Sequence, residues 1–165
     1  MSLAALILAF VTLQRLGELV LARRNTAWLR VQGAYEVGAG HYPAIVLLHA
    51  AWLGGLWYLA VGRGPAEVEL GWLALFAFLQ LLRVWVIATL GRRWTTRIIV
   101  LPGAPLVTSG PYRFVAHPNY CVVAAEILVL PLVFGLLWFG VVFSVLNALL
   151  LWLRIRSENA ALART

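Results

Sequence analysis

The chain has 165 residues, of which 63% are hydrophobic and only 12% are charged. With a mean hydropathy of +0.91, this composition excludes an ordinary soluble globular protein. The net charge is +7, and all 13 basic residues are arginines; they flank apolar segments, which argues against a nucleic-acid-binding surface. The single cysteine, Cys121, excludes an internal disulfide bond. The length is that of one domain, and the composition is that of an integral membrane protein.

Five apolar segments follow one another along the chain, and a helix needs about 20 residues to cross a bilayer. The N-terminal segment has no basic residues before it and no small-residue cleavage site, so it is interpreted as a retained span. The last two segments are short and are separated only around Gly135, which predicts a tight helical hairpin. We therefore predict an all-α integral membrane protein with about five transmembrane helices. Their approximate ranges are Leu3–Ala22, Tyr42–Val61, Leu70–Leu90, Tyr120–Phe134 and Leu136–Leu153.

The arginines predict the orientation of these helices. If the N-terminus is outside, only Arg63 lies on the outer side, while Arg15 and Arg83 lie within spans. Arginines concentrate on the cytoplasmic side of membrane proteins, so we expect the N-terminus outside and the C-terminus in the cytoplasm. The inner side would then carry Arg23, Arg24, Arg30, Arg92, Arg93, Arg97, Arg113, Arg154, Arg156 and Arg164.

Two cytoplasmic connections follow from this topology. The first, Arg23–His41, is rich in arginine, and we expect a short interfacial helix followed by a loop. The second, Gly91–Pro118, contains too many prolines and glycines for one continuous helix. Its part Arg97–Val107 is predicted to be extended, because it opens with β-branched residues. A long irregular connection that is this apolar favours a functional loop over a disordered one.

A first polar cluster lies between Pro111 and Pro118. Pro118 predicts the first turn of the fourth helix, with His117 near its N-cap, where the helix dipole favours an anion. The aromatic rings suit a cation or a stacked base. The alternative is a belt of aromatic and arginine side chains at the headgroup level. The members of this cluster are Tyr112, Arg113, His117, Asn119 and Tyr120.

A second polar cluster, Asn147, Arg154 and Glu158, shares one face of the last helix. Asn147 lies deep in an apolar run, where an amide needs a partner. Glu158 could accept hydrogen bonds from a ribose diol or an amine, and Arg154 could hold an anion in a bidentate grip. The alternative is a structural ion pair between Arg154 and Glu158, which are four residues apart.

Further charged residues lie inside the predicted spans. Arg15 and Glu18 are three residues apart and are predicted to pair, and Arg83 is predicted to pair with Glu126 across helices. The alternative is that Arg15, Glu18 and Arg83 line a tunnel for a lipid substrate. His41 and His49 are too isolated from other ligand types to predict a metal site.

The segment Gly110-Pro-Tyr-Arg-x-x-x-His-Pro-Asn-Tyr120, followed by an apolar hairpin and Arg154-x-Arg-x-Glu158, resembles the isoprenylcysteine carboxyl methyltransferase family. The chain is most similar to its small bacterial members, some of which are associated with methylation of alkylpyrones. The resemblance implies S-adenosylmethionine at the cytosolic edge of a bacterial inner membrane and a lipophilic acceptor that enters from the lipid. It implies cofactor contacts from His117, Asn119, Tyr120 and Glu158.

Two departures from the family pattern affect the expected site. Asn159 stands where a second glutamate is usual, and Cys121-Val122-Val123 replaces the usual glycine after the tyrosine. Arg154 is expected to orient the acceptor or the cofactor's carboxylate, and methyl transfer needs alignment more than a strong base. The acceptor would be a carboxylate or an acidic enol or phenol; the residues do not select among prenylated cysteine, a pyrone, a resorcinol and a fatty acid.

We thus predict one methyltransferase domain over residues 1–165, with three spans in 1–90 and a cofactor-binding loop plus the hairpin in 91–165. Arg154 is the predicted catalytic residue, and Arg15, Glu18 and Arg83 are predicted to bind the acceptor. One alternative is an NADPH-dependent lipid reductase that uses Arg92, Arg93 and Arg97; another is a small transporter. The predicted cofactor-binding residues are Tyr112, Arg113, His117, Asn119, Tyr120, Asn147 and Glu158.

Overall fold

A computed structural model describes residues 2–63 and 66–162. Arg164, one of the arginines used to predict the orientation, lies outside the described residues. The architecture is a bundle of five α-helices with one small antiparallel sheet at one end. The helices are α1 (Leu3–Val31), α2 (Tyr42–Trp57, continued by a π-helical turn Tyr58–Gly62), α3 (Leu70–Leu90), α4 (Pro118–Val133) and α5 (Leu137–Leu162). The strands are β1 (Tyr35–Val37) and β2 (Ile98–Val100).

In the described part of the chain, four helical segments are long and apolar enough to cross a membrane, which confirms the prediction of an all-α membrane protein. The fifth, α4, has 16 residues and is therefore about 24 Å long, less than the roughly 30 Å of a bilayer core. Its far end still reaches the level at which α3 begins, because the backbone N–H of Glu69 donates to the Val133 carbonyl at 2.9 Å. The four longer segments are Leu3–Val31, Ala39–Gly62, Leu70–Arg93 and Leu137–Ala161.

The predicted hairpin of the last two helices is confirmed. Gly135, at a φ of +69°, joins α4 to α5 in a conformation that favours glycine. Gly140 then lies against α4: a side chain at this position would approach the Leu128 carbonyl to 3.2 Å. The two helices therefore pack closely and antiparallel, and the first turn of α4 lies beside Arg154 and Glu158 near the end of α5.

The connection after α1 differs from the prediction. Instead of a short interfacial helix over 23–41, α1 continues without a break to Val31 and ends before Gly33, whose φ is +88°. The next residues form β1, which pairs with β2 so that Tyr35 lies opposite Val100. The extended conformation predicted within Arg97–Val107 is thus confirmed for the three residues of β2, whereas β1 was not predicted.

The small sheet closes the end of the bundle at which α5 terminates. Ala161 packs against Ile98 and Val100 in a small apolar cluster of its own. Asn25, a residue of α1, contacts the loop after α3, because its side-chain nitrogen donates to the Trp94 carbonyl at 2.7 Å. These contacts hold the Pro- and Gly-rich loop after α3 against the end of α5, where both polar clusters lie.

Candidate active site

The first polar cluster is positioned by the start of α4. Pro118 occupies the first helical turn and His117 is the N-cap residue, as predicted. Upstream, Gly110 has a φ of +56° and lies so close to Thr89 that a side chain would approach its hydroxyl to 2.6 Å. Only glycine fits there, so the loop is anchored on α3. The His117 and Tyr120 rings are stacked, with centroids 5.3 Å apart and planes inclined by 20°.

The two polar clusters meet at the hydroxyl of Tyr120. Arg154 Nε donates to this oxygen at 2.8 Å, and the hydroxyl donates in turn to Glu158 Oε2. His117 lies beside them, with its Nδ1 3.9 Å from Glu158 Oε2 and its Nε2 3.1 Å from Asn159 Oδ1. Arg154 and Glu158, which could have formed a simple ion pair, are instead bridged by Tyr120.

A large cavity of about 900 Å³ opens beside this junction. Its walls are the loop after α3, the first turn of α4 and the last turns of α5. The volume is that of a pocket for a nucleotide-sized ligand. Its polar lining includes Tyr112, His117, Asn119, Tyr120, Arg154, Glu158 and Asn159.

Tyr112 contributes an uncharged hydroxyl to the large cavity. Burial, together with the negative charge of Glu158, raises the pKa of Tyr112 to about 12. The phenol is therefore protonated at neutral pH and can donate a hydrogen bond to a ligand.

A second cavity, of about 330 Å³ and mostly apolar walls, lies deeper in the bundle between α1, α2, α4 and α5. We call it the apolar cavity. Asn119, Tyr120 and Arg154 line both cavities, so the two spaces share one wall. Arg154 is only 7% exposed, and within residues 2–63 and 66–162 its two Nη groups have no hydrogen-bond partner. The positively charged Arg154, with unused hydrogen-bond donors, thus lies between the polar large cavity and the apolar cavity.

Two residues of this shared wall were not predicted: Trp94 and Thr95. Trp94 is 2% exposed, and its indole nitrogen has no partner in the described part of the chain. The same holds for Asn119 Oδ1. Buried polar atoms are nearly always paired, so these atoms indicate a wall built for a ligand. The only signal in the sequence was the polar pair Thr95-Thr96, which comes shortly after the end of the apolar α3.

The charged residues inside the bundle form one four-charge cluster, made of Arg15, Glu18, Arg83 and Glu126. Arg83 contacts Glu18 through Nε at 2.6 Å and Glu126 through Nη1 at 2.9 Å. Arg15 contacts Glu18 at 3.0 Å and Glu126 at 2.8 Å. Both predicted pairs are therefore present, joined into a neutral ring. These side chains also line the apolar cavity, but their charged groups already have partners.

Two predicted cofactor-binding residues lie elsewhere. Arg113 is exposed and lines neither cavity, because the 3₁₀ turn Gly110–Arg113 turns its side chain away from the junction. Asn147 lines the apolar cavity and not the large one. The physical reason is its depth: Asn147 is seven residues, or about 10 Å, before Arg154 along α5.

The arginines proposed for a reductase are engaged by the protein itself. Arg97 donates to Glu36 at 2.6 Å and lies over the Tyr42 ring, while Arg93 donates to the Pro105 carbonyl at 2.6 Å. Arg92 lies over the Trp28 ring. These contacts brace the loops around the large cavity.

The fold and the site describe a helical membrane protein with a polar cavity and an apolar cavity that meet at one arginine. The chain belongs to the isoprenylcysteine carboxyl methyltransferase (ICMT) family, whose model matches residues 72–164. This range includes nearly all of α3, the loop, α4 and α5, and membership indicates a membrane methyltransferase. The chain is also 40% identical, over 159 residues and 95% of each chain, to the uncharacterized protein YpbQ of Bacillus subtilis (strain 168). No solved structure matches the chain.

Proposed function

We propose that the protein transfers a methyl group from S-adenosylmethionine to an acidic oxygen, a carboxylate or an enol or phenol oxygen, of a lipophilic acceptor. One observation carries the proposal: the large cavity and the apolar cavity share a wall that includes Asn119, Tyr120 and Arg154. A water-soluble donor and a lipid-soluble acceptor need two such compartments, and transfer between them needs one point of contact.

The residues of the large cavity fit S-adenosylmethionine. Its ammonium and ribose hydroxyls are donors, and Glu158 Oε1 together with the unpaired Asn119 Oδ1 offers acceptors for them. The stacked rings of His117 and Tyr120 offer an aromatic face beside the same space. When bound, S-adenosylmethionine supplies an electrophilic methyl group.

The chain itself supplies alignment and exclusion of water. Tyr120 fixes Arg154 through Nε, which leaves both Nη groups free to bind the anionic oxygen of the acceptor at the shared wall. The buried indole of Trp94 closes the same wall against solvent. An acceptor that is already ionised needs no general base, and Arg154 favours the ionised form.

We further propose that the site faces the cytoplasm, with the N-terminus outside. Nine of the ten arginines assigned to the inner side lie in the described residues, and they cluster at the end of the bundle that carries the large cavity; Arg63 lies at the other end. The positive-inside rule then orients the bundle in the plasma membrane. This places the large cavity where a soluble cofactor is available.

The two alternative functions, an NADPH-dependent lipid reductase and a small transporter, receive less support from the structure. The arginines that a reductase would use for a dinucleotide phosphate are bound to Glu36, to a backbone carbonyl or to aromatic rings. A transporter would need charges open to a central path, whereas the four-charge cluster is internally paired.

The decisive experiment incubates purified protein in lipid nanodiscs with S-adenosylmethionine labelled in its methyl group and with a bacterial lipid extract. Mass spectrometry then identifies every lipid that gained a methyl group. We expect one class of lipid acid to be labelled, and Glu158→Gln to abolish labelling while the control Glu67→Gln, at an exposed position, retains it. Absence of labelling by a protein that also fails to bind S-adenosylhomocysteine would contradict the proposal.

A further inference from the structure

Asn147 is an unsatisfied amide in the wall of the apolar cavity. It is 2% exposed and lines that cavity from α5. Within the described residues, its Nδ2 has no hydrogen-bond partner. An unpaired buried amide is unfavourable for the fold, and a leucine at this position of an apolar helix would avoid that cost. A side chain that is this unfavourable for the fold indicates a ligand that pairs with it.

His49 presents a second open polar atom in the same cavity. Its Nδ1 lies 2.8 Å from the Ile45 carbonyl, which can only accept, so Nδ1 carries the proton. In the neutral ring the lone pair is then on Nε2, for which the described residues offer no partner. His49 lines the apolar cavity from α2.

The packing of α2 on α5 brings these two residues to one level. The helices run antiparallel, because Tyr42 at the start of α2 bonds Thr96 at 3.1 Å, beside the sheet on which the end of α5 packs. A side chain at Gly55 would lie 2.7 Å from the Phe139 ring, which fixes the register. His49 precedes this contact by six residues, about 9 Å, and Asn147 follows it by eight, about 12 Å. Their levels thus differ by only about 3 Å along the bundle axis.

We propose that Asn147 and His49 form a second polar subsite for the acceptor, one that binds a hydroxyl group in the middle of its chain. The inference rests on the proposed function, which assigns the apolar cavity to the acceptor. A hydroxyl complements both open atoms, because it can donate to His49 Nε2 and accept from Asn147 Nδ2. The subsite lies about 10 Å from Arg154 along α5, so the acceptor carries two polar groups separated by that distance.

The test compares binding of hexadecanoic acid with binding of hydroxyhexadecanoic acids whose hydroxyl is near the carboxylate, in the middle of the chain or at its far end. Dissociation constants are measured on the purified protein in nanodiscs. We expect the mid-chain isomer to bind about tenfold more tightly than hexadecanoic acid, the gain from one well-placed hydrogen-bonding group. Equal affinities across the series would overturn the proposal.

Two variants assign the preference to the subsite. Asn147→Leu and His49→Phe should each remove most of the tenfold preference, because each weakens binding of the mid-chain isomer relative to binding of hexadecanoic acid. Ser144→Ala is the matched control, since Ser144 also has an unpaired buried polar atom on α5 but does not line the cavity; it should keep the preference. A preference that survives both subsite variants would also overturn the proposal.

Stability separates loss of the subsite from loss of the fold. Because Asn147→Leu removes an unpaired buried amide, the variant should unfold at a temperature no lower than that of the unchanged protein. A failure of the proposed function would give a different result. The protein would transfer no methyl group to any acid, but it would still bind the mid-chain isomer more tightly than hexadecanoic acid. Methyl transfer without any preference would reject the subsite alone.

Discussion

Two groups of charged residues lie inside this bundle, and they satisfy their charges in different ways. In the four-charge cluster of Arg15, Glu18, Arg83 and Glu126, every charged group contacts a group of opposite charge within 3.0 Å. Two positive and two negative charges form a closed ring, which holds α1, α3 and α4 together. Such a ring is stable in an apolar interior because no charge is left uncompensated.

The second group, at the shared wall of the two cavities, is left open. Arg154 and Glu158 do not close on each other but meet through the hydroxyl of Tyr120. Asn119 Oδ1 and the Trp94 indole nitrogen next to them lack partners within the described residues. The comparison teaches that a charge buried in a membrane protein marks a ligand site when its hydrogen-bonding capacity is left unused, not merely when it is buried.

The largest expected effect is a loss of free energy of unfolding, and it results from removing one member of the four-charge cluster. Arg83→Met removes the more buried of the two arginines that contact both Glu18 and Glu126, and breaking such a buried pair costs about 3–5 kcal/mol. We expect a large fall in the unfolding temperature of the protein in detergent, measured by tryptophan fluorescence. Arg113→Met makes the same replacement at an exposed position and should change little. If both variants unfold alike, the ring is not structural.

The next effect is on cofactor binding. Glu158→Gln should weaken binding of S-adenosylhomocysteine by at least about tenfold, because a hydrogen bond to a charged group contributes about 1.5–3 kcal/mol. Calorimetric titration measures the affinity for S-adenosylhomocysteine. The unfolding temperature of the variant should stay near that of the unchanged protein. Glu67→Gln, at the other end of the bundle, is the control. Unchanged affinity in Glu158→Gln would remove this residue from the cofactor site.

A smaller and more selective effect is expected at Arg154. Arg154→Lys loses the planar fork that bonds Tyr120 and the acceptor together, so turnover should fall about tenfold or more while the affinity for S-adenosylhomocysteine stays within about threefold. Methyl-transfer kinetics and calorimetry give the two values. Arg156→Lys, two residues further on the exposed side of α5, should affect neither. A parallel loss of affinity and turnover would instead make Arg154 a cofactor ligand.

The smallest effect is spectroscopic and concerns Tyr112. Its pKa of about 12 lies above the ordinary value of 10.0, so the folded state retains the proton longer than the unfolded state. The stability that this provides is complete below pH 10 and is lost as the pH rises towards 12. We expect the phenolate absorbance that Tyr112→Phe removes to appear near pH 12 in the folded protein. Titration near pH 10 would show that the hydroxyl is not buried in the large cavity.

Much of this organisation could be predicted from local sequence. The spans follow from runs of apolar residues, the start of α4 from Pro118, and the hairpin from the brevity of the segment around Gly135. The ion pairs inside the bundle were predictable because a lone charge in lipid is unfavourable and few partners exist. The continuation of α1 to Val31 and the strand β1 were missed, since each depends on contacts with the loop after α3.

Within the site, long-range contacts divided residues that looked equivalent in the sequence. Arg113 and His117 lie in the same proline-bracketed segment, but only His117 reaches the large cavity. Asn147 and Glu158 share a face of α5, but they line different cavities because helical rise separates them in depth. Trp94 was not predicted as a site residue, because only the packing places it in the wall that both cavities share.

The amino-acid sequence by itself determined that this protein is a helical membrane protein, that its arginines gather at one end and that two short polar segments interrupt the apolar runs. Hydrophobicity and backbone propensity act over a few residues, so they can be read without a structure. Only the tertiary structure decided that the hydroxyl of Tyr120 joins Arg154 to Glu158 and that two cavities share this junction. Those facts depend on residues more than 30 positions apart, which only the packing of α4 on α5 brings into contact.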